Sequence, residues 1–186
     1  TKARLEESER ALNNYARANS ILMLDEKTNA INQTFADHSA ALAKVEQERA
    51  KAEALYNEVR QNPESAPQVL ESKTVATYKE QRAKLESEYL ANLSVYKPDF
   101  PKMLQLKAQI AELDARIKAE VSVVLVAVKA QYEAARRQEA QVRGRVQDTR
   151  KDVLVSQDRS VQLNLLKREL ETNRQLYDGL LQRLKE

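Results

Sequence analysis

The chain has 186 residues with 2 Gly, 4 Pro, no Cys and no Trp, and its 31 basic and 28 acidic side chains leave a formal charge of +3. So little glycine leaves few tight turns, which excludes sandwiches, barrels and nucleotide-binding sheets, and the near balance of charge excludes a dedicated nucleic-acid surface. Aromatics at 5% argue against a thick core, yet 42% hydrophobic content is too much for disorder, so long amphipathic helix remains and the expected fold class is all-α.

From Thr1 the pattern is helical at once (Ala3, Leu5, Ala11, Leu12). A soft break follows over residues 19–25, where the polar face disappears and Asp25 offers an N-cap. Phe35, His38, Leu42, Val45, Arg49, Ala52, Tyr56 and Val59 then alternate spacings of three and four, the heptad stripe of a helix that packs on another. Pro63 and Pro67 mark a first turn near 61–73. Val75, Tyr78, Arg82, Leu85 and Tyr89 repeat the stripe more weakly.

A second turn near 96–101 holds Tyr96, Pro98, Asp99 and Pro101, with Asp99 as the candidate cap of the next helix and Pro101 in its first turn. Met103, Leu106, Ile110, Leu113 and Ile117 continue the stripe, and Val121, Val124 and Val128 follow after a stutter. If residue 102 onward formed one helix it would exceed about 120 Å at about 1.5 Å per residue. Nothing else in the chain reads as long enough to cover it. A break is therefore expected near 150–160, where β-branched residues precede Ser156 as a cap, or else burial against other subunits. Leu163, Leu166, Leu170, Asn173, Tyr177, Leu180 and Leu184 form the closing stripe. Short turns make neighbours antiparallel, so the expected architecture is an extended antiparallel coiled-coil bundle.

Chemistry is sparse. Without Cys there is no thiolate zinc site and no cysteine nucleophile. The single His, His38, sits on the stripe with no nucleophile arranged beside it, and reads as a packed spacer. Glu46, Glu48, Glu53, Glu86 and Glu88 are interspersed with Lys and Arg at helical spacing, as in solvated ion pairs. Gly144 and Gly179 stand alone in helical pattern, so no phosphate loop is present. These features predict no enzyme activity and no cofactor. Tyr56, Tyr78, Tyr89 and Tyr177 are explained by seam packing rather than by stacking on sugars. Arg136, Arg137, Arg143, Arg145 and Arg150 make residues 136–151 locally basic. They read either as a patch for an anionic polymer or phosphorylated head group, or as a solvated or intersubunit face, and the second reading is the simpler. No stretch reaches the roughly 18 apolar residues of a membrane span.

The closing stretch LKRELETNRQLYDGLLQRLKE, residues 166–186, is more specific than a generic heptad. It resembles the signature before the second transmembrane helix of polysaccharide co-polymerases, the Wzc- and GumC-like chain-length determinants of exopolysaccharide export. YKPDFPKMLQLKAQIAEL, residues 96–113, resembles their inter-helix turn, and ALNNYARANSILMLDEK, residues 11–27, the segment leaving their α/β base. Arg168, Glu169, Glu171, Asn173, Arg174, Tyr177, Gln182 and Arg183 are the family-typical positions. The resemblance implies a periplasmic helical wall, residues 1–186 as a single extended helical domain cut from an inner-membrane protein, and homo-oligomerisation. It also implies a role in polymer length or export beside a Wzy-type polymerase and an outer-membrane channel, with polysaccharide nearby. Some members carry a cytoplasmic tyrosine autokinase, for which this chain has no nucleotide site. The competing expectation is the helical hairpin of a periplasmic membrane-fusion adaptor. On the family reading, the motif residues fix the last helix against its neighbours, with Asn173 setting register at some cost in stability.

Overall fold

A computed structural model describes residues 1–19 and 24–185. These form five helices and no strand: α1 (Lys2–Ala18), α2 (Leu24–Gln61), α3 (Pro67–Leu70), α4 (Lys73–Asn92) and α5 (Pro101–Lys185). The chain is all-α. Its contacts group into two units, one of residues 45–139 and one of residues 1–44 with 140–186.

The first unit contains the main apolar core, and the proline turns build it. After α2 ends, the Ser65 and Ala66 amides both donate to the Asn62 carbonyl, which folds the chain back. Pro67 opens α3, where its missing N–H costs nothing. Four residues cannot hold a helix by themselves. α3 persists because Ala66 and Val69 are wholly buried in a cluster with Val59, Val75, Ile117 and Val128. Full burial of a valine side chain contributes on the order of 1.5–3 kcal/mol. Ser72 then caps α4, its Oγ accepting the Val75 amide at 3.4 Å. The apolar run 121–128 divides by face: Val121, Val124, Leu125 and Val128 join this core, whereas Val123 and Val126 are exposed.

The second turn lies where expected, but its cap differs. α5 opens at Pro101, which puts Phe100 and not Asp99 immediately before the first helical residue. The Leu104 amide donates to the Phe100 carbonyl, and the Phe100 ring stacks on Tyr96 with centroids 4.6 Å apart. Ring stacking holds the turn in place of a carboxylate cap. Beyond it, Met103 and Leu106 are buried on the seam.

In the other unit, α1 ends at Ala18, with the Asn19 amide donating to the Tyr15 carbonyl. Residues 20–23 of the expected soft break lie outside the described residues. Asp25 lies inside α2 (Leu24–Gln61) and not before its first described residue, where the expected cap would sit.

The expected break near 150–160 is absent, and α5 continues through it. Ser156 is a buried interior residue whose hydroxyl lies 2.8 Å from that of Thr28 on α2. The β-branched residues there are tolerated because the seam continues through them: Thr149, Val153, Ser156, Ser160 and Leu163 are buried or half-buried at spacings of four and three. The expectation that nothing could cover α5 fails for the same reason. Within residues 45–139, α2 and α4 supply its partners, and in the other unit α1 and the start of α2 do so. The closing stripe stops short, since Leu180 and Leu184 are 42% and 82% exposed.

Candidate functional site

The seams are studded with polar pairs that cross between helices, and these form the candidate site. Among the described residues of 1–44 and 140–185 the crossings include the following bonds. Asn173 Nδ2 donates to Ser8 Oγ at 2.6 Å, and Tyr15 Oη donates to the Arg159 carbonyl at 3.1 Å. Thr28 and Ser156 share a hydroxyl bond, and His38 Nδ1 lies 2.9 Å from Thr149 Oγ1. Residue numbers rise along α1 and α2 as they fall along α5.

Donor bookkeeping fixes two of these pairs. The single Thr149 hydroxyl proton goes to the Arg145 carbonyl at 2.9 Å, so Thr149 accepts and His38 Nδ1 carries the hydrogen. Ser8 likewise spends its proton on the Arg4 carbonyl at 3.0 Å and accepts from Asn173. A hydroxyl bonded back into its own helix thus presents a lone pair to the neighbouring helix.

In residues 45–139 the crossings carry charge. Arg49 on α2 donates from Nε to Glu139 on α5 at 2.8 Å, and from Nη1 to Glu53 one turn along. Tyr132 Oη reaches the other oxygen of Glu53 at 3.4 Å and its ring stacks on Tyr56. Glu53 is therefore half-buried in an interhelical layer and is more than a solvated partner. On α4, Arg82 donates to Asp114 on α5 at 2.6 Å. The hydrogen bond that Arg49 donates to Glu139 holds its guanidinium above the ordinary range, and the bond to Asp114 does the same for Arg82. Sequence reasoning missed Asp114, Glu139 and Thr149, and read Ser156 as a helix cap, because they interrupt the hydrophobic stripe; their three-and-four spacing was the available signal.

Of the family-typical positions, Asn173 and Tyr177 are half-buried, whereas Arg168, Glu169, Glu171, Arg174, Gln182 and Arg183 are exposed. Arg168 and Glu171 line a shallow groove with Val161 and Leu165, and Glu169 lines another with Arg4, Glu7 and Asn173. In the second turn Tyr96 is half-buried, and Pro98, Asp99 and Pro101 are exposed. All five arginines of the basic stretch, Arg136, Arg137, Arg143, Arg145 and Arg150, are exposed, with Arg136 lying 5.8 Å from the centre of the Tyr132 ring. Among the described residues no group of three or more acidic or imidazole side chains is placed to hold a metal, and no helix is long and apolar enough to cross a membrane. The layers hold helices in register.

Comparison of the chain with protein-family models, curated proteins and solved structures finds no match.

Proposed function

We propose that the chain is an extended antiparallel coiled-coil bundle serving as the periplasmic helical wall of an inner-membrane polysaccharide co-polymerase. In this role it assembles with copies of itself and helps set the chain length or export of an exopolysaccharide, beside a polymerase and an outer-membrane channel. The observation that carries the reading is the Asn173–Ser8 bond, because Asn173 belongs to the family-like closing motif and is the motif residue that ties α5 to α1. A polar pair at a seam position favours one register over its neighbours, since a slip of one turn along α1 leaves the amide facing Leu5 or Leu12. A wall that transmits oligomer geometry along its length needs such fixed register. Its neighbours Arg168, Glu171 and Arg174 are exposed, where they can meet another chain, although Glu171 also accepts from Gln175 one turn along.

The test is made in the native host, in the protein that contains this chain. Asn173→Leu and Arg174→Ala should each shift the polymer length distribution on a gel and alter the cross-linked oligomer ladder. If length and assembly both stay unchanged, the reading fails.

A further inference from the structure

The turn joining α4 to α5 ends in an apolar surface that no described residue covers. Leu90 is 66% exposed, Val95 73%, Phe100 44% and Leu104 52%. They gather at one end of the unit formed by residues 45–139. The 4.0 Å contact between Glu88 and Lys102 brings the end of α4 beside the start of α5, and Tyr96 stacks on Phe100 between them. A cluster of large exposed apolar side chains on a single turn marks a surface that meets something else.

The charges around it favour one kind of partner. Between residues 88 and 109 there are three lysines, Lys97, Lys102 and Lys107, against Glu88 and Asp99, and Glu88 is the partner of Lys102. Lys102 Nζ lies 6.0 Å from the centre of the Tyr96 ring, an ammonium beside an aromatic whose hydroxyl end is polar. Lysine is depleted in protein–protein interfaces. At a bilayer surface its long stem lies along apolar groups while the ammonium stays at the level of anionic head groups. Tyrosine is enriched at that same level.

We propose that this turn docks on an anionic phospholipid surface, with Val95, Phe100, Leu90 and Leu104 entering the head-group boundary and Lys97 and Lys107 pairing with phosphates. The proposal does not depend on the polysaccharide reading, whose carrying observation is the Asn173–Ser8 bond between α5 and α1.

The test is sedimentation of the full 186-residue chain with vesicles of equal phosphatidylglycerol and phosphatidylcholine, and with vesicles of phosphatidylcholine alone. Binding to the anionic vesicles should be at least about tenfold tighter and should weaken steeply between low and high salt as the charges are screened. Leu90→Ser with Val95→Ser should lower it about tenfold, as should Lys97→Gln with Lys107→Gln, while Val123→Ser with Val126→Ser should leave it unchanged. Leu90 and Val95 are the most exposed members, so their variant keeps its fold, and circular dichroism checks this. Phe100→Ser provides a second apolar variant should the first prove unstable. Absence of vesicle binding at low salt assigns the patch to a protein partner and overturns the proposal. So does binding that ignores the tip variants or treats both vesicle types alike.

Discussion

Asn173 on α5 donates a 2.6 Å hydrogen bond to Ser8 on α1, and Ser8 in turn donates to the Arg4 carbonyl of its own helix. The pair lies 165 residues apart in sequence, yet each partner's hydrogen-bonding capacity is matched to the other's. Asn173 supplies the donor that Ser8, having spent its proton, still needs.

Removing one partner should therefore cost little and removing both should cost less than the sum. Ser8→Ala or Asn173→Leu alone should destabilise by about 0.5–1.5 kcal/mol, the ordinary net worth of such a bond. The double variant makes this seam position apolar and should recover stability while losing register. A double-mutant cycle in urea would measure the coupling, and engineered cysteine pairs one heptad out of place would report the loss of register. Zero coupling would show that the bond does not fix the pairing.

The Arg49–Glu139 layer should respond to salt and be insensitive to moderate alkali. Its guanidinium is held above the ordinary arginine value by the Glu139 hydrogen bond. A pKa raised on folding stabilises fully below the unfolded value and is lost only as pH climbs through the folded one, far above the working range. The difference in melting temperature between the parent and Arg49→Gln should thus be the same at pH 6 and pH 9. It should shrink in about 1 M salt, where the Debye length falls to about 3 Å. Thermal melts at both pH values and both salt levels would decide it.

Gly144 and Gly179 both lie inside α5, and a Cβ added at either would meet nothing within 4 Å. Neither needs the freedom that glycine offers. Replacement by alanine removes unfolded-state entropy and should stabilise by about 0.5–1 kcal/mol per site. Denaturant melts of Gly144→Ala and Gly179→Ala would show this as higher midpoints with unchanged slopes. A loss of stability would mean that the helix is not continuous there.

The same continuity shows where sequence was informative and where it was not. Both proline turns and the α2 stripe from Phe35 to Val59 were legible, since proline cannot sit inside a helix and those seam residues are mostly apolar. The helix through Ser156 was not, because Thr149, Ser156 and Ser160 look like loop residues until their partners on α2 and their own preceding carbonyls are seen to take up the hydroxyls. A hydropathy stripe cannot reveal a seam built of small polar groups. The site was legible in the same uneven way: Asn173 stood out by its place on the stripe, whereas Glu139 and Asp114 acquire meaning only through Arg49 and Arg82 on other helices. Asp99 was misjudged because a carboxylate looks like a cap, while the Tyr96–Phe100 stack that holds the turn has no simple signature in sequence.

Met103 and Leu104 are adjacent at the start of α5, yet Met103 is wholly buried and Leu104 is 52% exposed. Successive residues on a helix point about 100° apart, so the two side chains test directly which face is packed. Met103→Ala removes buried atoms and leaves a cavity, and it should destabilise by about 2–5 kcal/mol. Leu104→Ala trims a side chain already half in water and should stay within about 0.5 kcal/mol of the parent. Chemical denaturation of the two variants would measure the contrast. If they lost similar stability, α5 would be rotated from the orientation described, and the exposed patch on the neighbouring turn would have to be reassigned with it.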